Sequence, residues 1–416
     1  SYPSGAFTNI GGDVSYVGTG YTFRARSYTY QIWSWGFNEN GQLGQNDKTT
    51  RSSPTQIPGT AWGSIIEGHG GYNADNGAAT LATKTDNTLW AWGINQFGEL
   101  GQNSRVYLSS PIQIPGTTWN KVYLGSALMS IRTDGTLWAC GYNVTGGLGQ
   151  NSVVNYSSPV QLPGTTWDKV DSFANPAALA IKTDNTLWAW GNNSHSGLGQ
   201  NNTTQYSSPT QIPGTTWSTA KCGSTSGYAI KTNGTLWSWG QNQRGELGLN
   251  TKDDPSGSPR QIPGTTWVGV YPGLECALAI KTDGTLWGWG DGSYGQLGQN
   301  DRTERSSPIQ IPGTWSSTDG KISQLGVYNF YAIKADGTLW TCGYNSQGQL
   351  GLNDTARRSS PTQVPGTNWN RVQNQGETVI ATKTDGTLWG WGNDEQGQLG
   401  LNAVIKYSSP TQIPGT

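Results

Sequence analysis

Two histidines and four cysteines are all that 416 residues offer as ready nucleophiles, bases near neutral pH or soft metal ligands. His195 lies in GNNSHSGLG and reads as a solvated loop residue. His69 lies in HGGYNADNG, a stretch without counterpart elsewhere in the chain, and is the histidine with a claim to binding. No H-E-x-x-H, G-x-S-x-G, phosphate loop or zinc-spaced Cys/His group is present. Adjacent carboxylates occur at Asp253–Asp254 and Asp394–Glu395, where solvated loop charge is the ordinary reading. The chain is therefore read as a non-enzyme with no cofactor and no metal. Whether Cys222 and Cys276 pair is left open by the sequence. The polar residues suited to recognition are Tyr16, Tyr21, His69, Tyr72, Asn73, Tyr328 and Asn329, all in segments that differ between otherwise similar units.

Those segments are carried by a repeat. The glycine closing W-x-W-G, or its near equivalent, falls at Gly36, Gly93, Gly141, Gly191, Gly240, Gly290, Gly343 and Gly392. G-x-L-G follows each, as SGLG in one case, and S-P-x-Q-[ILV]-P-G-T or a close variant ends each unit. Eight units result, near residues 1–60, 61–117, 118–165, 166–215, 216–265, 266–314, 315–367 and 368–416, forming one domain. Each reads as four short strands. A begins at a Trp, B is apolar, C is TLWGWG-like and D is SSPTQIPG-like. Asp-Gly, Asn-Gly or Asp-Asn between B and C suits a type I′ hairpin. Four-strand units at this period predict an all-β fold, a β-propeller of eight four-stranded blades.

All 21 tryptophans fall on three positions of the unit. Trp33, Trp90, Trp138, Trp188, Trp237, Trp287, Trp340 and Trp389 occupy the first site of strand C and are read as structural. Six more fill its second site, where Cys140 and Cys342 complete the set. Seven open strand A, with Phe7 in the eighth place. The residue between the two C-strand sites is small, so bulky and small faces of neighbouring blades are expected to interlock. Sixteen of 20 prolines sit in D or the following turn, which places D at a sheet edge. The short D–A link, only the PGT turn, groups the strands as D-A-B-C. A last blade shared by both chain ends would then close the ring.

The pattern T-D-G-x-L-W-x-W-G-x-N-x-x-G-Q-L-G, followed closely by Thr384 to Gly400, resembles the regulator of chromosome condensation repeat family. The resemblance covers nearly the whole chain. It implies a propeller, typically of seven blades, which makes seven the alternative to the eight counted here. It also implies, for eukaryotic members, exchange on a small GTPase and docking on nucleosomes through a wedge, acidic loop residues and a basic tail. These 416 residues carry neither a long wedge nor a basic tail. The near-identical units look more like bacterial or viral members.

Net charge is −1 and only 12% of residues are charged, so a basic footprint for nucleic acid or anionic membrane is missing. No apolar run approaches the ~18 residues of a membrane span. The A–B and C–D connections vary most and should share one face of the ring. The variable face favours a binding or structural propeller, and the resemblance to bacterial or viral members implies one exposed outside a cell or on a virus particle as an adhesin or tail-fibre component. It would recognise a glycan or a protein through that face. A homo-oligomer or surface assembly is compatible, and a cytoplasmic setting stays open. A GTPase exchange factor or chromatin adaptor is the alternative, and a carbohydrate-active enzyme is another.

Overall fold

The repeated T-D-G-T-L-W stretch is a chain of hydrogen bonds. Asp134 Oδ1 accepts from the Thr136 amide at 2.9 Å and from the Thr136 hydroxyl at 2.7 Å. That hydroxyl accepts in turn from Trp138 Nε1 at 2.9 Å. The same relay serves Trp90, Trp188, Trp237, Trp287, Trp340 and Trp389. Only the second turn residue is left-handed, as at Gly135 (φ 77°) or Asn87 (φ 62°). With Arg132 N bonded to Thr136 O and Gly135 N to Arg132 O, this is a three-residue turn ending in a left-handed residue rather than the type I′ turn expected. The carboxylate that caps Thr136 holds the tighter geometry.

In this computed structural model, residues 13–17, 20–25, 31–66, 79–125, 127–172, 177–318, 320–323 and 328–414 are described. They form eight four-stranded antiparallel sheets, each in the order A-B-C-D of one repeat, and among them there is no helix. The first sheet runs Asp13–Val17, Gly20–Ala25, Gln31–Gly36 and Arg51–Gln56. The last runs Trp369–Gln375, Thr378–Lys383, Leu388–Gly392 and Tyr407–Gln412. Proline-bearing D pairs with C alone and is an edge strand, as its composition requires.

This order overturns the D-A-B-C grouping and the shared closing blade. Strand D near Pro410 pairs with Leu388–Gly392, inside its own repeat. The PGT link looks like a hairpin turn but is a crossing between sheets. Trp119 N bonds to Asn87 O of the preceding repeat, while Thr118 O accepts from Thr133 N of its own. The link is clamped between two B–C turns, with Thr118 at φ 68°.

Neighbouring sheets join through one recurring set of contacts. The second strand-C indole is fully buried and donates to the repeat before it: Trp190 Nε1 to Gly147 O at 2.9 Å, Trp239 to Gly197 O at 2.7 Å, Trp391 to Gln349 O at 2.8 Å. Cys140 occupies that place against Glu99 O. From each repeat the amide after G-x-L-G-[QL] bonds to strand D of the next, as Asn151 N to Ser207 O at 2.6 Å. Asn402 N to Ser52 O at 2.7 Å and Trp35 Nε1 to Gln398 O at 3.0 Å join the last sheet to the first. Closure therefore reuses the ordinary junction.

The glycines of G-x-L-G exist for this junction. A Cβ on Gly146 (φ 80°) would lie 2.6 Å from Ser207 Cα, and one on Gly351 (φ 69°) 2.8 Å from Trp391 Nε1. Ser196 replaces the first glycine once, at φ 60°, and the facing strand then has Gly257 where the others have serine.

The tryptophans singled out from sequence are only half-buried. Trp138 lies edge-on to Trp119 at 6.3 Å, and the Arg132 guanidinium stacks over both rings at 4.1 and 4.3 Å. Lys84, Lys182, Lys231, Lys281, Lys334 and Lys383 do the same elsewhere. The deepest core belongs instead to the strand-A indoles and the second strand-C indoles, such as Trp62, Trp190 and Trp289. The interlock is as expected, with the layers exchanged.

Candidate functional site

Antiparallel order A-B-C-D sends the A–B and C–D connections to one face, and contacts between them confirm it. Tyr294, from a C–D loop, stacks on Tyr328, from the A–B connection of the next repeat, with centroids 4.0 Å apart and planes at 31°. Tyr344 meets Tyr294 edge-on at 5.4 Å. The Arg357 guanidinium lies 4.9 Å from both the Tyr294 and the Tyr344 rings. The result is a platform of three half-buried tyrosines under an exposed arginine.

Each member is fixed from beneath. The Tyr294 amide donates to Gln296 Oε1 at 2.9 Å, and Gln296 Nε2 donates to buried Asp291 at 3.0 Å. Tyr344 N donates to Tyr328 O at 3.0 Å. Gly343 permits that approach, because a Cβ there would lie 2.1 Å from Tyr328 O. Asn345 Nδ2 donates to Asp354 O and Ala356 O at 3.0 Å, which sets the loop that carries Arg357. Burial raises the Tyr328 phenol above its ordinary range, with Tyr294, Glu275 and Asp291 nearby adding to the effect.

Beside the platform an open cleft of about 430 Å³ is lined by Arg244, Lys252, Ser293, Arg302, Thr303, Glu304 and Ser306. Arg244 bridges Glu304 at 2.6 Å and Glu275 at 3.8 Å, and Lys252 also binds Glu304. The Lys252 and Arg244 hydrogen bonds hold the Glu304 carboxyl below its usual range against its partial burial. Arg302 and Arg357 have no carboxylate partner among the described residues.

The residues expected from sequence are only partly assembled here. Tyr328 is central. Asn329 is buried and donates its side-chain amide to Tyr344 O, so it positions the platform from within. Tyr16 and Tyr21 are cross-strand partners in the first hairpin, so the stretch read as a long A–B loop supplies strands A and B. His69, Tyr72 and Asn73 lie outside the described residues. His195 is exposed, and among the described residues its one hydrogen-bond partner is its neighbour, Ser194 Oγ, at 3.0 Å. None of the four cysteines, Cys222 and Cys276 included, is in a disulfide. The turn aspartates spend their oxygens on threonine, as Asp283 and Asp385 show. Among the described residues no group of His, Cys, Asp and Glu is arranged to hold a metal.

Tyr294, Tyr344 and Arg357 were missed. Comparing one position across units would have found the first two. Phe97 and Tyr142 occupy the same two places in repeats two and three and also meet, 4.8 Å apart.

Comparison with known families matches the Regulator of chromosome condensation (RCC1) repeat at residues 31–72, 184–230, 233–280, 283–325, 336–374 and 385–416, more than half of the chain. A "Protein RCC2 homolog" of Danio rerio is 33% identical over 99 residues, 23% of this chain and 19% of that protein. The ultraviolet-B receptor UVR8 of Arabidopsis thaliana is 28% identical over 109 residues, 26% of this chain and 24% of that protein. The matched stretches thus span a quarter or less of these relatives. Among solved structures, human WBSCR16 has a TM-score of 0.60 at 20% identity, covering 93% of this chain and 94% of that one. Yeast RCC1 (Prp20), solved bound to Kap60, has a TM-score of 0.62 at 18% identity, covering 94% and 85%. The Saccharomyces cerevisiae protein Prp20p is also described with its binding properties to Gsp1p and histones. At such identities the structural likeness speaks for the fold, and the sequence matches agree with it. The chain is a β-propeller that belongs to the regulator of chromosome condensation (RCC1) repeat family.

Proposed function

We propose that the chain is a single-domain ring of eight blades that acts as a non-enzymatic recognition scaffold, binding a protein partner through its A–B and C–D loop face. One observation carries this. Junction bonds repeat around the ring, whereas the side chains of this face differ from repeat to repeat and converge in one place, the tyrosine platform. Loops held on a rigid scaffold are where recognition usually resides. The partners described for the structurally similar Prp20 are proteins, which favours a protein over a glycan. The adhesin, virion and extracellular setting expected from the resemblance to bacterial or viral members finds no support among these relatives.

The test is affinity capture from the source cell with the full chain. It is set beside a variant whose 316–328 segment is shortened to the common A–B form and a variant altered in the PGT turns of the opposite face. Loss of captured proteins with the first alone supports the reading, and an unchanged set defeats it. The second reading, exchange on a small GTPase or a chromatin adaptor role, draws on the family and on Prp20p binding to Gsp1p and histones. Labelled-nucleotide release from a small GTPase, unaccelerated by the chain, together with no histone binding, would exclude it. A carbohydrate-active enzyme would need a carboxylate cluster facing a pocket. The cleft's one carboxylate, Glu304, is tied to two cations.

A further inference from the structure

We propose that Tyr294, Tyr328 and Tyr344, with Arg302 and Arg357, form the docking site for an acidic peptide segment of a protein partner. This rests on the loop-face reading above and names its locus and ligand chemistry.

The argument begins with Arg357. Its guanidinium stacks over two tyrosine rings, 4.9 Å from each centroid. Stacking occupies a planar face and leaves the in-plane N–H donors free. Those donors match a carboxylate, which accepts two parallel bonds from one guanidinium. Nearby cations are mostly spent: Arg358 on Asp354 at 2.5 Å, Arg305 on Asp301 at 2.5 Å, Arg244 on Glu304 and Glu275. Of the cations on these C–D loops, Arg302 and Arg357 are both exposed and have no carboxylate partner among the described residues. Arg302 lies on the C–D loop that also carries Tyr294, and Arg357 on the next C–D loop, which also carries Tyr344. Arg302 shares the cleft with Ser293, the residue preceding Tyr294.

The tyrosines supply the remainder. Tyr294 already stacks on Tyr328 and carries Arg357, so much of its ring surface is engaged within the cluster. A sugar ring needs an open aromatic face. A peptide needs only an edge for an aromatic or proline side chain, with hydroxyls for its backbone. The platform is also held before binding by the hydrogen bonds from Asn329, Gln296 and Asn345, so little ordering remains to oppose association.

The experiment pans a phage-displayed library of random peptides against the immobilised full chain, then measures an enriched, fluorescein-labelled peptide by anisotropy. Enriched sequences should combine Asp or Glu with an aromatic residue or proline. Binding should weaken as salt rises. Arg302→Gln with Arg357→Gln should weaken it by tenfold or more, about the loss of one good charge-assisted contact. Arg357→Lys should not restore it, and Arg105→Gln, in another loop of the same face, should leave it unchanged. Melting curves of the variants should match that of the unmodified chain, which checks that these exposed substitutions leave the fold intact. Enriched peptides that are basic or neutral, or whose binding survives the double variant, overturn the proposal. If peptides bind but respond only to other loops of this face, the locus fails and the loop-face reading stands. If they respond only to the opposite face, both fail.

Discussion

Asp394 occupies a position that asparagine holds in six other repeats, and replacing it tests what that position does. Asn345 shows the usual arrangement. Its Oδ1 accepts from Leu350 N at 2.8 Å, and its Nδ2 donates to Asp354 O and Ala356 O at 3.0 Å. Asp394 keeps the first bond, to Leu399 N at 2.7 Å, but its Oδ2 is buried without a hydrogen-bond partner among the described residues. Burial lifts its pKa from 3.8 to about 7, and half-buried Tyr407 is raised first by its partial burial and then by the Asp394 charge. Because the folded value lies above the unfolded one, the contribution to stability is fully present below 3.8 and is lost as pH rises through about 7. The interval sets an upper bound of roughly 4 kcal/mol at 1.36 kcal/mol per unit, and water near the loop reduces this to ~1–2 kcal/mol. Asp394→Asn removes the titration and supplies two donors, each adding about 1 kcal/mol. A global melting shift would be only a degree or two, since unfolding entropy scales at about 2.1 cal/mol/K per residue. Native-state hydrogen exchange at Leu399 and Asn402 is the sharper assay. The variant-to-wild-type protection ratio should grow roughly 5- to 30-fold between about pH 5 and about pH 8.5, intrinsic exchange cancelling in the ratio. A ratio that does not change with pH would refute the argument.

Five further substitutions probe the repeat itself. Trp190→Ala empties a fully buried site and breaks the bond to Gly147 O, so urea denaturation should show a loss of about 3–5 kcal/mol. Half-buried Trp138→Ala should cost roughly half as much. Gly257→Ser, whose Cβ would lie 2.9 Å from Asn201 Cα, should destabilise, and Ser196→Gly should recover part of the loss. A double-mutant cycle should return a coupling of about 0.5–3 kcal/mol, and zero coupling would show that the two exchanges are unrelated. Thr285→Val removes the hydroxyl that, first among its causes, holds Asp283 below its ordinary value. Stability present above 3.8 is lost as pH falls through the lower folded value, so the acid-unfolding midpoint of the variant should move to higher pH.

The sequence made the units legible because each of their invariant letters has one bonded duty. Asp, Thr and Trp of T-D-G-T-L-W form a relay within the repeat. The two glycines of G-x-L-G admit a serine and an indole of the next repeat. Strand pairing was not legible, because a five-residue crossing and a tight turn are written in the same residue types. Only the clamp of Trp119 N on Asn87 O tells them apart. Burial depth was misjudged for a related reason. Both C-strand indoles point to one face, but Arg132 or a lysine covers the first with its aliphatic stem and cation, leaving it half-exposed. The platform escaped because Tyr294, Tyr344 and Arg357 occupy places filled by Arg244, Gln241 and Pro255 one or two repeats earlier. A recognition surface made of departures from a repeat is read by comparing its units position by position, not from what the units share.

Ring closure gives a last prediction. Within the chain each junction has two kinds of tie, the hydrogen bonds and buried indole between sheets and the covalent PGT crossing. The junction of last to first sheet has the same bonds, Asn402 N to Ser52 O and Trp35 Nε1 to Gln398 O, without the crossing. Gly146→Ala and Gly397→Ala are matched insults. Their added Cβ atoms would lie 2.6 Å from Ser207 Cα and 2.7 Å from Ser52 Cα, at φ 80° and 70°. When Gly146→Ala strains its junction, the crossing keeps the two sheets together. When Gly397→Ala strains the other, separation opens the ring, and reclosing costs the loop entropy of nearly the whole chain. Gly397→Ala should therefore enlarge the radius of gyration in small-angle scattering at moderate urea, while Gly146→Ala stays compact under the same conditions. Equal behaviour of the two would mean that the ring is held at its seam by something other than the repeated junction.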